Sequence, residues 1–295
     1  MKLPRLLRSV LYVPGSSERF IAKVRAGSVV ADAIIWDLED AVAPSRKGEA
    51  RSLLCAEMGS DDGSSSTLPL PLSAVRVNAL SSPWGDADVA ALGASRFRPA
   101  AVVLPKTESA DEVAALVAAM DKAGLPPSTD VWCMVETPLG VLRCEEIARS
   151  ARCSTLIMGT SDLAKDLNAR VVDAERAALV PSLALCLLAA KAHGVAIVDG
   201  VHLDLADAAG FARQCAAGRD MGFDGKSLIH PKTIEECNRA FSPTRAEAAH
   251  AERVIEAHTA AERRGDGVAV LDGQLVENLH AARAHATLAL FEAVK

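Results

Sequence analysis

Aromatic residues are scarce in this chain. Phe, Trp and Tyr together make up 3% of 295 residues, while 50% are hydrophobic, so a core has to be assembled from Ala, Val, Leu and Ile. Nowhere do basic residues form a block or interleave with aromatics. The net charge of −6 is spread over both signs, which argues against a nucleic-acid partner. No apolar run approaches the roughly 18–20 residues of a membrane span, so no membrane association is expected. The basic start, Met1 to Arg8, leads into an apolar run that stops at Pro14-Gly15, too short for a signal peptide. The seven cysteines are odd in number and show neither CxxC nor Cys/His ligand spacing. They read as reduced thiols of a cytoplasmic protein. There is no GxGxxG or P-loop sequence for a nucleotide and no GxSxG for a serine nucleophile. His193, His202, His230 and His280 have no evident Ser or Cys partner and read as packing or surface groups.

What is present is a repeating unit: a short apolar run, then a helical pattern. The runs are Ser9–Val13, Ala33–Trp36, Ala74–Asn78, Ala100–Leu104, Val131–Val135, Ser154–Met158, Val195–Val198 and a strand-like run within Phe223–Pro231. They are continuously apolar rather than alternating, as parallel strands covered on both faces are. Eight such units predict an α/β fold, a (β/α)8 TIM barrel, over residues 1–242. A doubly wound open sheet is the alternative. A polar Gly/Ser-rich loop is expected at Gly59–Thr67, and a long Ala/Leu-rich helix from about Asp173 to His193. Residues 243–295 form an extension outside the repeat: a charged helix to Arg264, a hairpin turning at Asp272-Gly273, and a last helix from Leu279. A hairpin that cannot bury itself alone is expected to pack over a barrel or a neighbouring subunit.

In a barrel of this kind the chemistry sits at the C-terminal strand ends. Those ends carry Asp37, Glu39 and Asp40, then Arg76 and Asn78, Lys106, Glu136, Gly159-Thr160 with Asp162, Asp199 and Lys226. Glu136 and Asp162 each follow an apolar run. Two oxygen ligands without Cys or His nearby suit a hard cation such as Mg²⁺, which keeps several waters and takes oxygens from substrate. Each could instead cap the helix that follows it. Arg76 lies inside an apolar strand and needs a carboxylate partner, which could be Asp37, Glu39 or a bound substrate. A metal on two carboxylates beside an Arg suits an α-keto acid whose keto oxygen gains charge as a C–C bond forms or breaks. Lys106 and Lys226 leave Schiff-base chemistry open, although Lys106 reads as structural or electrostatic.

Seven motifs in order resemble the citrate lyase beta subunit-like proteins of the malyl-CoA and citramalyl-CoA lyase group. They are Arg8–Gly15, Asp37–Val42, Arg76–Asn78, Pro105-Lys106, Val135–Thr137, Gly159–Leu163 and Gly225–Pro231. The resemblance implies a Mg²⁺-dependent carbon–carbon lyase that cleaves or forms a 3-hydroxyacyl-CoA thioester, giving acetyl-CoA plus pyruvate or glyoxylate. Action on a citryl acyl-carrier protein as a citrate lyase subunit is the alternative, and a binding protein without turnover is a third. By position, Glu136 and Asp162 would hold the metal, and Arg76 would bind substrate. Asp37 would orient Arg76 or a metal-bound water. The backbone at Gly159 and Thr160 would hold the keto-acid carboxylate. The family's trimers or hexamers, in which the C-terminal segment covers a neighbour's site, imply a homo-oligomer here. That segment often carries Gly-x-Met-Val-Asp-x-Pro-His with an acid/base Asp. In Gly273–His280 the Asp is replaced by Glu277 and the Pro by Leu279, so Glu277 becomes the acid/base candidate.

Overall fold

A computed structural model describes residues 6–59, 71–170 and 175–295. Most of the expected Gly/Ser-rich loop and the first residues of the helix expected from Asp173 lie outside these residues; the helix itself is Val180–His193, with Pro181 in its first turn, so it begins later than expected. The chain divides into two compact units, Leu7–Ala240 and one built on Phe241–Lys295.

The first unit is a closed barrel of eight parallel strands in sequence order. They are β1 (Ser9–Pro14), β2 (Ala33–Asp37), β3 (Leu72–Arg76), β4 (Ala101–Leu104), β5 (Asp130–Val135), β6 (Cys153–Met158), β7 (Ala196–Asp199) and β8 (Gly225–Leu228). Closure is direct: Ser9, Val10 and Leu11 of β1 pair with Lys226, Ser227 and Leu228 of β8. Each apolar run expected from the sequence supplies one strand.

Side chains alternate across a strand, so every second residue points inward. Val10, Ile35, Ala74, Val103, Trp132, Met134, Ile157 and Val198, drawn from seven of the strands, form one buried cluster. The same alternation carries Tyr12, Asp37, Arg76 and Glu136 onto the inner face, one step nearer the C-terminal end. The apolar plug is therefore a floor beneath a polar layer.

Caps fix where several helices begin. Thr137 starts Pro138–Leu142, its hydroxyl accepting from the Gly140 amide at 3.1 Å. Asp207 starts Ala208–Met221 by accepting from the Gly210 amide at 2.8 Å, which is why that helix begins later than its apolar pattern from Leu205. Ser17 occupies the cap position of Glu18–Arg25, but its side chain makes no capping bond.

Outside the inner face, Asp199 is fully buried with Lys226 and Arg176. Both Arg176 Nη atoms reach its carboxylate, at 2.8 and 2.9 Å, and Lys226 Nζ lies at 2.8 Å. Burial raises the Asp199 pKa, but the two cations outweigh it and hold it below the usual carboxylate value.

The second unit has its own small core of Ala251, Val254, Ala261, Ala269, Val276 and Ala284. Its first helix, Arg245–Arg264, opens on a Thr244/Glu247 capping box. The hairpin β9 (Ala269–Leu271) and β10 (Gln274–Val276) turns at Asp272-Gly273, with φ of 53° and 79°. Two left-handed residues in succession match the twist of a two-residue hairpin. The last helix is Asn278–Ala293.

Asp199→Asn should lower the unfolding free energy by about 3 kcal/mol, because two buried cations lose their counter-charge. Chemical denaturation at neutral pH measures this. The depressed native pKa means that Asp199 stabilises the fold above the usual carboxylate pKa, and that the contribution fades as acid takes the pH through the native value.

Candidate active site

At the C-terminal end of the barrel lies a cavity of about 340 Å³, lined among others by Tyr12, Asp37, Arg76, Glu136, Gly159 and Asp162. Asp40, Met134 and Thr160 also line it. The sequence-derived candidates from the barrel, Asp37, Arg76, Glu136, Gly159, Thr160 and Asp162, are thus brought to one place. Glu277 belongs to the other unit. It is the residue preceding the last helix, and its amide donates to His280 Nδ1 at 3.0 Å.

Glu136 sits one residue past β5 and is 1% exposed. It does not cap the next helix, since Thr137 does. Its Oε1 accepts the backbone N–H of Lys106 at 2.8 Å. Lys106 adopts a left-handed φ of 47° just after β4, a conformation costly for a residue with a side chain. That turn aims the amide at Glu136. On the other side, Gly159 packs against the Glu136 side chain, and a methyl at Gly159 would overlap its Cβ and Oε2. Burial pushes the Glu136 carboxyl up to about 7, against the downward pull of the Lys106 amide and of the charges on Lys106 and Arg76.

Asp162 lies within the helix Thr160–Asp166, whose cap position is Gly159, so it too is free of the capping role. Its side chain is 30% exposed, and the ammonium of Lys165, one turn along the helix, is 3.9 Å away. A surface pair at that distance contributes little.

Arg76 grips Asp37 with two bonds, Nε to Oδ1 at 2.8 Å and Nη2 to Oδ2 at 2.6 Å. The Asp37 carboxylate also accepts the amides of Glu39 and Ala41. The remaining nitrogen, Nη1, is 2.9 Å from Glu39 Oε2 but is not aimed for a hydrogen bond, and that oxygen is buried without one. The guanidinium lies 5.0 Å from the centre of the Tyr12 ring. Of the partners the sequence left open, Asp37 takes the hydrogen bonds, and Glu39 adds an ion pair at Nη1.

Other strand-end residues serve the frame. Lys106 Nζ holds Glu39 Oε1 at 2.6 Å. Asn78 bonds to Asp88 and to the Leu38 carbonyl. Lys226 is fully buried on Asp199, which removes it from the cavity. His230 accepts the Lys232 amide in the turn after β8. Sequence reasoning missed Tyr12 as a cavity residue. Its signal was the inward parity it shares with Asp37 and Arg76 through the β1–β2–β3 register, in which Tyr12 pairs with Ile35 and Asp37 with Arg76.

Among the described residues, Asp37, Asp40, Glu136 and Asp162 line the cavity with Arg76, and Lys106 Nζ lies 3.7 Å from Asp40, so four carboxylates meet two cations, a formal balance of −2. A buried carboxylate pushed toward neutrality and an excess of acid both fit a hard divalent cation. No group of three or more His, Cys, Asp or Glu placed to hold a metal occurs among the described residues. Two protein carboxylates with the remaining positions open match Mg²⁺, which retains waters.

Residues 8–231 match the family model HpcH/HpaI aldolase/citrate lyase, and the chain belongs to that family. It is 47% identical over 287 residues to a (3S)-malyl-CoA thioesterase of Cereibacter sphaeroides, covering 97% of this chain and 95% of that protein. It is 35% identical over 299 residues to the citrate lyase subunit beta of Escherichia coli, covering 98% and 94%. Among solved structures it resembles the protein CitE from Mycobacterium tuberculosis in complex with magnesium, acetoacetate and coenzyme A. That match has a TM-score of 0.76 and 30% identity, over 96% of this chain and 97% of that one. The family contains enzymes that act as lyases or thioesterases.

The metal-free protein should lose stability on Glu136's account as the pH rises from about 4.5 to about 7, since a carboxyl with a raised native pKa favours the fold only while protonated. Glu136→Gln removes this dependence, read from denaturation midpoints between those limits. Adding Mg²⁺ at pH 7 should release protons, detected by calorimetry in buffers of different ionisation enthalpy.

Proposed function

We propose that this chain is a Mg²⁺-dependent carbon–carbon lyase that cleaves or forms a malyl-CoA or citramalyl-CoA type thioester. The supporting observation is the placing of Glu136 and Asp162, two uncapped carboxylates, around one cavity with Arg76. Solved relatives carry magnesium with acetoacetate and coenzyme A, or with pyruvate, which supports both the metal and the substrate class.

Glu136 and Asp162 would hold Mg²⁺, which when bound supplies a positive charge for the keto oxygen. Arg76, oriented by Asp37, would hold the oxo-acid end of the substrate through the N–H groups that Asp37 leaves free. The Gly159-Thr160 backbone would take the same carboxylate. In cleavage, a base removes the proton from the 3-hydroxyl. The bond between that carbon and the neighbouring methylene breaks, leaving the oxo acid. Its electron pair passes to the acetyl-CoA enolate, which then takes a proton. Glu277 is our candidate base, brought to the cavity by residues 243–295 of a neighbouring subunit in a homotrimer or homohexamer. A cytoplasmic setting suits the seven free thiols.

Hydrolysis of the same thioester is a second activity, favoured by the 47% identity to a malyl-CoA thioesterase over nearly the whole chain. It breaks C–S rather than C–C and needs a water positioned at the thioester carbonyl.

One assay separates them. With malyl-CoA and Mg²⁺, a lyase yields glyoxylate and acetyl-CoA, while a thioesterase yields malate and free CoA. Glu136→Ala and Asp162→Ala should each abolish turnover, and Arg76→Ala should raise KM and lower kcat. Undiminished turnover in EDTA would contradict the metal-dependent site, whichever products appear.

A further inference from the structure

Tyr12 is the sole tyrosine among the 295 residues, and it lines the cavity. Its hydroxyl donates to the thioether of Met134 at 3.5 Å. Arg76 Nη1 donates to the same sulfur at 3.6 Å. Two donors, one of them charged, thus converge on one weak acceptor, while Glu39 Oε2, 2.9 Å from Nη1, accepts no hydrogen bond from it. A buried phenol ordinarily finds an oxygen or nitrogen partner, and a guanidinium is best matched by an oxyanion. Asp37 takes the Nε–H and one N–H of Nη2, which leaves Arg76 only Nη1 and the second N–H of Nη2 for a ligand. The Tyr12 hydroxyl, which converges with Nη1 on one point, adds a neutral donor to what Arg76 has left.

We propose that Tyr12 is a substrate-binding residue: its hydroxyl and Arg76 Nη1 together form a two-donor clamp for a carboxylate oxygen of the oxo acid, and the Met134 sulfur holds that position when no ligand is bound. The inference rests on the oxo-acid site proposed above and adds a residue to it. Tyr12 is held for this work from two sides. Its ring lies beneath the Arg76 guanidinium, and its backbone is registered against Ile35 in β2. Replacing the hydroxyl by hydrogen leaves both in place, so Tyr12→Phe isolates the clamp. Met134→Leu removes the sulfur acceptor at similar volume and releases both donors from it.

The test uses the full chain with tyrosine labelled by ¹³C at the ring carbon bearing oxygen. One tyrosine gives one resonance. Pyruvate is titrated in saturating MgCl₂, and its dissociation constant is measured for the wild type, Tyr12→Phe and Met134→Leu. The expected results are a shift of the resonance on binding, affinity roughly tenfold weaker in Tyr12→Phe, and affinity equal to or tighter than wild type in Met134→Leu. Wild-type binding with an unmoved resonance and a Tyr12→Phe affinity within about twofold of wild type would overturn the clamp while leaving the oxo-acid site standing. No pyruvate binding to the wild type would overturn both. If Tyr12→Phe fails to fold, pyruvate binding to the labelled wild type with an unmoved resonance overturns the clamp by itself.

Discussion

The organising constraint is the removal of one carboxylate from water. Glu136 is enclosed by the barrel wall, fixed through one oxygen by the Lys106 amide and backed by Gly159. A carboxylate so placed must either take a proton or gain a positive neighbour. Arg76 and Lys106 are the nearby cations, but both are committed elsewhere, Arg76 to Asp37 and Lys106 Nζ to Glu39. The site is therefore short of positive charge at the point where the cavity opens, and a divalent ion with open coordination positions answers that shortage.

Local backbone geometry serves this arrangement. The left-handed Lys106 spends conformational energy to point its amide inward, and Gly159 lacks the methyl that would push the carboxylate away. The Thr137 cap frees Glu136 from a competing role at the next helix. On the outer side of the wall, the buried Asp199 with Arg176 and Lys226 holds the ends of β7 and β8, and Lys226 also donates to the Gly200 carbonyl. A methyl at Gly200 would overlap Thr160, so this outer network reaches the cavity wall by packing.

Much of the fold was legible because parallel strands buried on both faces leave unbroken apolar runs, and all eight runs became strands. The extension's hairpin was legible from Asp272-Gly273, whose positive φ values the turn requires. In the cavity, Glu136, Asp162 and Arg76 stood out as charged residues at strand ends. Their partners were less legible. Whether Arg76 meets Asp37 or a ligand depends on the register of β2 against β3, which no single strand encodes. Whether Glu136 caps a helix depended on competition from Thr137. Tyr12 was hidden because an inward tyrosine looks like ordinary core until the cavity around it is seen. Arg176 was hidden because it comes from an irregular segment far from Asp199 in sequence.

The most direct measurement is a crystal structure with Mn²⁺ in place of Mg²⁺, examined by anomalous scattering. One strong peak is expected in the barrel cavity, bonded to carboxylate oxygens of both Glu136 and Asp162 at roughly 2.0–2.3 Å, the range for a small divalent cation on oxygen. A saturated crystal with that position empty, or with the ion bound by other residues, would contradict it.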